Sequence, residues 1–305
     1  MGTPEFAVPS LDKLLQAGYD IVGVITAPDK PAGRGMQLRE SAIKKYASAN
    51  NLKILQPEKL KDPEFLQELK NLKADLQVVV AFRMLPEVVW NMPPMGTINL
   101  HASLLPQYRG AAPINWAIIN GAKETGATTF KLQHQIDTGN ILLQQKIIIG
   151  DDETAGELHD AMKDVGADVL VKTVNGLVNK TLQEIPQGST ETTGRVDDIT
   201  LKSAPKIFTE TCKIDWHKNA DEIYNLIRGL SPYPGAFTFF YNKTLKIYRA
   251  KKEISLPVTA TGEFETDKKT YLKFACTNGC ISITELQLEG KKRMTVEDFL
   301  RGYKF

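Results

Sequence analysis

The chain has 305 residues, of which 42% are hydrophobic and 24% charged; at about 100–200 residues per domain this is two domains or one large one, with apolar content that excludes a disordered or collagen-like polymer. No run approaches the ~18 uninterrupted apolar residues of a spanning helix, and the opening Met1-Gly-Thr-Pro-Glu-Phe6 lacks the basic and apolar regions of an export signal. Cys212, Cys276 and Cys280 are odd in number and have no further Cys/His pair at ligand spacing, so no disulfide framework or zinc site is predicted and a reducing cytoplasm is the expected compartment. The net charge of +2 conceals an asymmetry: residues 1–200 hold 20 Lys/Arg against 24 Asp/Glu, residues 201–305 hold 18 against 12, and a basic C-terminal part favours a polyanion.

In chain order, Thr3-Pro4-Glu5 reads as an N-cap with proline at the first helical position, so the chain opens where a strand-to-helix turn ends. A strand expected ahead of Gly2 is absent, which would leave ladder groups on its neighbours exposed. Residues 11–18 predict a helix closed by Gly18, and Thr154 N-caps a long helix reaching about Asn179. Between them, Ile21–Thr26, Leu76–Phe82, Thr97–His101, Thr128–Gln133 and Ile141–Ile149 read as strands. Alternating strands and helices predict an α/β domain over 1–183, with a Rossmann-like, mostly parallel sheet. From Glu184 to Lys206 the chain turns to Pro, Gly, Ser, Thr and Asp and reads as a linker. Beyond it come a short helix around Asp221–Leu230 and strands at Ala236–Tyr241, Leu245–Ala250, Gly262–Thr266, Tyr271–Ala275 and Ile281–Leu288. Five short strands separated by turn signals predict a small antiparallel barrel over 207–305.

The segment Gly96-Thr-Ile-Asn-Leu-His-Ala-Ser-Leu-Leu-Pro106 carries the most chemistry. Side chains alternate along a strand, so Asn99 and His101 share one face while Ile98 and Leu100 take the other. Ser103–Pro106 then break the strand at its carboxyl end, where open α/β sheets bind ligands. Downstream, Asp137-Thr-Gly139 sets a carboxylate in a turn between two β-rich runs. A lone turn aspartate ordinarily satisfies backbone donors. Asp-Thr-Gly is also the aspartic-protease motif, but that chemistry needs two carboxylates sharing a proton and this chain holds one copy, so a protease would have to be a dimer.

These segments resemble the folate-dependent formyltransferases. The residues that carry the likeness are Gly2-Thr-Pro-Glu-Phe6, Pro28-Asp-Lys-Pro-Ala-Gly-Arg-Gly35, Asn99-Leu-His-Ala-Ser-Leu-Leu-Pro106, Tyr108-Arg-Gly-Ala-Ala-Pro113, Asp137-Thr-Gly139 and Ser231-Pro-Tyr-Pro-Gly-Ala-Phe-Thr238. They run through almost the whole chain in the family's order. The family's first strand is missing, and Val80-Ala-Phe-Arg-Met-Leu-Pro86 is one residue shorter than the common version. The resemblance implies the formyltransferase fold with an OB-like barrel, and transfer of a formyl group from 10-formyltetrahydrofolate, with no metal, to the α-amine of methionine on initiator tRNA. It assigns Asn99, His101 and Asp137 to catalysis, and Ser103, Leu104, Leu105 and Pro106 to the folate site with the backbone of Phe82–Leu85 as a second wall. Asn99 suits a donor to the developing oxyanion, His101 a proton carrier near neutrality, and Asp137 an orienting carboxylate. Family members acting on a purine precursor would end after the α/β part, and those acting on a sugar nucleotide would not need the basic barrel.

The polyanion partner implied is tRNA. The loop Pro28–Gly35 places Arg34 at the position of the family's essential arginine. In the barrel, Lys243, Lys246 and Arg249 head a basic series continuing through Lys251, Lys252, Lys268, Lys269, Lys291, Lys292 and Arg293, interleaved with Phe239, Tyr241, Tyr248 and Tyr271. A monomer without membrane association is expected. His134, His159 and His217 lack ligand spacing to one another and read as surface or structural residues.

Overall fold

The computed structural model describes residues 1–32, 37–187, 201–255 and 259–304. Arg34 and the middle of the predicted linker lie outside these. The chain forms two compact units: Met1–Arg109, Gly126–Ile147 and His159–Lys202 make one, and Gly110–Thr125, Ile148–Leu158 and Ser203–Phe305 the other.

In the first unit a 3-10 turn at Glu5–Ala7 leads into α1 (Val8–Gln16), which ends before Gly18 in the left-handed region at φ +80°. The turn starts from Pro4 and has no side-chain cap, so Thr3 does not cap it as predicted. β1 (Val24–Ile25) is shorter than its predicted run and pairs in parallel with β2 (Ile54–Leu55), which the sequence reading lacks. Two further helices, α2 (Ala42–Ala49) and α3 (Pro63–Asn71), are capped by the Ser41 hydroxyl and the Asp62 carboxylate.

Four strands build the sheet that carries the chemistry: β3 (Gln77–Val80), β4 (Thr97–His101), β5 (Glu124–Lys131) and β6 (Ile141–Ile148), side by side in that order. β3 and β4 are parallel, with Val79 opposite Asn99, whereas β4 and β5 are antiparallel, with Asn99 opposite Phe130 and His101 opposite Thr128. β5 starts four residues ahead of the predicted Thr128, because Gly126 and Ala127 dilute the β-forming pattern there. The long helix α4 (Ala155–Val178) begins at a full capping box, in which the Glu157 N–H donates to the Thr154 hydroxyl and the Thr154 N–H to the Glu157 carboxylate. Gly166 lets this helix sit directly on β4, since a Cβ there would lie 3.0 Å from Leu100 Cδ2.

Met1 and Gly2 lie between β1 and β3. The Met1 ammonium donates to Val78 O (2.7 Å), the Val80 N–H to Met1 O (2.9 Å) and the Gly2 N–H to Ile25 O (3.0 Å). A cavity of about 130 Å³ lined by Val22, Val24, Leu76 and Val78 lies beside them. Burial pushes the Met1 amine down from 8.0 to about 5.

In the second unit α5 (Ala220–Gly229) starts at an Asn219/Glu222 capping box. The antiparallel sheet follows the order β7 (Ala236–Phe240), β8 (Lys243–Ile254), β11 (Gly279–Leu288), β10 (Leu272–Cys276) and β9 (Phe264–Thr266). It is a half-barrel, and its two end strands meet through rings, Phe240 against Phe264 at 4.8 Å, with Trp216 stacked on Phe274 at 4.7 Å across the interior. The C-terminal helix Val296–Gly302, capped by Thr295, was not anticipated from sequence. Both ends of the predicted linker are ordered: Ile185 pairs with Ile141, and Ser203–Ala204 forms a short strand on which the Ala112 N–H bonds Ala204 O.

Candidate active site

β4 matches its predicted span, and its alternation holds: Ile98 and Leu100 are buried on one face, while Asn99 and His101 project from the other. Asn99 is half-buried, and among the described residues its carboxamide makes no hydrogen bond to the protein. An amide left free beside an imidazole is ready to donate to a ligand.

His101 is buried, and two contacts hold its ring. Nε2 lies 2.9 Å from Tyr108 O, and Nδ1 lies 3.9 Å from Asp137 Oδ2. A carbonyl oxygen can only accept, so Nε2 carries the proton in the neutral ring and Nδ1 is the nitrogen that gains or loses one. The Asp137 separation is too long for a hydrogen bond but within ion-pair reach. The group that orients the ring is therefore the Tyr108 carbonyl, which the sequence reading did not find because it belongs to the main chain. Tyr108 itself sits at φ +58°.

Asp137 occupies a left-handed turn at φ +54° between β5 and β6. Gly139 is obligatory, because a Cβ there would lie 1.6 Å from Lys131 O. The turn is stitched from outside by Gln187, whose amide donates to Asp137 O (2.9 Å) and Gly139 O (2.8 Å) while its oxygen accepts from Arg109 Nε (3.0 Å). Burial lowers the Arg109 guanidinium from its ordinary value, and the nearby charge of Asp137 opposes that shift.

The predicted folate loop is a closed framework. Ser103, Leu105 and Pro106 are buried and Leu104 is half-buried. The Ser103 hydroxyl donates to Gln107 O (2.6 Å), and the Thr128 hydroxyl donates to Ser103 O (2.6 Å) while accepting from the Leu105 N–H (3.2 Å). Gln144 donates to Leu105 O (2.9 Å). What this loop can offer a ligand is backbone and the Leu104 side chain. Opposite Leu85, which is buried, Arg83 and Met84 are exposed, and Arg83 lies over the Phe82 ring at 5.7 Å.

The predicted tRNA cations of the second unit lie on β8. Lys243 and Arg249 are exposed, and Lys246 is half-buried and donates to Pro234 O (2.8 Å). A bulge on either side of Arg249 interrupts the pairing of β8 with β11 and re-aims that residue, which pairs with Glu157. Arg249, Lys251 and Lys252 border an open cavity of about 540 Å³ together with Tyr224, Arg228 and Tyr248. Arg228 and Tyr224 were missed from sequence. Arg228 is buried, donating to Glu153 O (3.0 Å), and burial lowers its guanidinium; burial and a hydrogen bond to Asp152 push Tyr224 up to about 12. Arg34 lies outside the described residues. Among the described residues no cluster of His, Cys, Asp and Glu could hold a metal, and no helix is long and apolar enough to cross a membrane.

Two family models match the chain: Formyl transferase over residues 1–174 and Formyl transferase, C-terminal domain, over residues 206–304. Among similar proteins, methionyl-tRNA formyltransferase of Bacteroides thetaiotaomicron is 50% identical over 309 residues, covering 100% of this chain and 94% of that protein. Its counterpart from Flavobacterium johnsoniae is 53% identical, with 100% and 95% covered. Among solved structures, an N-formyltransferase from Helicobacter canadensis in complex with folinic acid and dTDP-3-aminofucose aligns with a TM-score of 0.69 at 21% identity, over 96% of this chain and 97% of that one.

Thr128→Val should leave the Ser103 carbonyl and the Leu105 N–H without their partner inside a buried loop, at a cost of about 1–3 kcal/mol. Urea unfolding measures this, with Thr128→Ser close to wild type.

Proposed function

We infer, since this chain belongs to the formyl transferase family, that it moves a formyl group from 10-formyltetrahydrofolate to the α-amine of methionine carried by initiator tRNA. The observation that carries this reading is the pairing of near-complete coverage by methionyl-tRNA formyltransferases at half identity with an Asn99/His101/Asp137 group in one unit. The structural neighbour at 21% identity supports the fold alone.

The free Asn99 amide beside His101, at the carboxyl end of β4, fits a folate formyl donor. When bound, that donor supplies the activated formyl carbon. Asn99 donates an N–H to the carbonyl oxygen as negative charge gathers on it, and so favours the transition state over the ground state. His101 takes up the proton that the attacking amine releases and returns it to the folate nitrogen as the bond between that nitrogen and the formyl carbon breaks. Nδ1 is the nitrogen open to it, because Nε2 is committed to Tyr108 O. Asp137 faces Nδ1 within ion-pair reach. The backbone of Ser103–Pro106, with Leu104, and that of Phe82–Leu85 bound the folate.

Residues 1–183 carry the transfer in this reading, and 207–305 hold the tRNA, with Lys243, Lys246 and Arg249 on phosphates and Arg34 at the acceptor end. The enzyme works as a monomer in the cytoplasm. The test is formyl transfer to charged initiator tRNA, with charged elongator tRNA as control; transfer to neither defeats the reading. Asn99→Ala should lower turnover roughly 10²–10³-fold, the scale of one oxyanion donor, and near wild-type turnover would remove Asn99 from the mechanism. Affinity for tRNA should fall steeply between about 50 and 200 mM salt, with a shallower log–log slope in a Lys243→Ala/Arg249→Ala variant; an unchanged slope removes these cations from the interface.

A further inference from the structure

We propose that Gln187 is a positioning residue for the catalytic pair, holding the Asp137 carboxylate at its working separation from His101. The proposal rests on the reaction assigned above. Gln187 comes from the polar segment after the long helix, where a double hydrogen bond between Ile185 and Ile141 fixes the chain two residues earlier. Its side chain is used in full: both amide donations go to the Asp137 turn, to the carbonyls of residues 137 and 139, and its oxygen accepts from two guanidinium nitrogens of Arg109.

The arrangement closes a circuit. Arg109 follows Tyr108 directly in the chain, and the Tyr108 carbonyl holds His101 by Nε2. Asp137 faces the same ring at Nδ1. One side of the imidazole is thus held by Tyr108 and the other faces Asp137, and Gln187 ties the two supports together by bonding both Arg109 and the Asp137 turn. The Asp137 backbone lies in the left-handed region at φ +54°, where the Gln187 donations hold the turn, and a displacement of about 1 Å at a reacting group costs on the order of 10²-fold in rate. Gln187 touches neither the imidazole nor any reacting atom, so it acts through Asp137.

The test uses Gln187→Ala and Gln187→Glu, each alone and combined with Asp137→Ala, assayed with both substrates. Gln187→Ala should lower kcat about 10–100-fold, with KM for the folate donor and for tRNA within about twofold of wild type. Gln187→Glu keeps the acceptor for Arg109 but loses the two donations, and should fall almost as far. In the Asp137→Ala background the Gln187→Ala change should have little further effect, since the residue it supports is gone. An equal loss in both backgrounds, or a loss confined to KM, overturns the proposal and makes Gln187 an ordinary structural contact. Wild-type kcat in Gln187→Ala overturns it as well. A fully active Asp137→Ala enzyme would instead defeat the catalytic reading beneath it, so the two failures are distinguishable. Thermal unfolding of each variant identifies any loss that comes from misfolding.

Discussion

A strand bonded on both edges and covered on one face has only one face left to offer. β4 is in that position: β3 and β5 hold its edges in register, and the long helix lies on its back at Gly166, against Leu100. A slip of one residue would turn Ile98 and Leu100 away from the helix and set Asn99 and His101 against it, at the cost of two apolar side chains and two unsatisfied polar ones. The register is therefore fixed by the core, and the carboxamide and imidazole inherit their common direction from it. The remaining parts of the site are additions to this strand: a loop at its end, a turn across the sheet, and a carbonyl that reaches back to the ring.

Those additions are built mostly from main chain. His101 is oriented by a peptide carbonyl, the loop 103–106 is closed by the Thr128 hydroxyl on backbone groups, and the Asp137 turn is shaped by a glycine that no side chain can replace. Backbone partners do not rotate away from a side chain they hold, which gives the site rigidity without further charged groups in an already polar corner. The half-barrel differs. Its exposed cations rely on β8 for spacing, and a bulge at Arg249 sets where that side chain emerges.

How much of this could be read from sequence depended on where the signal resides. β4 was legible to the residue, because its alternation is strict and its neighbours are turn formers. The long helix was legible from Thr154, although Glu157 as the reciprocal partner went unread. The helices 42–49 and 63–71 were missed because each buries only two large apolar or small residues among lysines and glutamates, too narrow a stripe to register as periodic. Their caps, Ser41 and Asp62-Pro63, were there to be used. For the site, the pairing of His101 with the Asp137 turn was anticipated from resemblance, while Tyr108, Arg109 and Gln187 went unread as supports: Tyr108 acts through its main-chain carbonyl, the Arg109 guanidinium meets a partner 78 residues away in the chain, and Gln187 lies in a stretch whose composition suggested only a tether. Arg228 was hidden for a similar reason, as a helix-end arginine that bonds carbonyls instead of facing water.

Among the described residues the half-barrel closes through aromatic rings and not through a backbone ladder. Among the described residues, Phe240 and Phe264 bring its two end strands together through ring contact, with no strand pairing between those two strands. Amides along that seam would exchange with deuterated solvent well before those of Gly279–Leu288, which is paired on both sides. A seam of rings is less directional than a ladder of hydrogen bonds, and it marks the line along which this domain is closed with the least backbone bonding among the described residues.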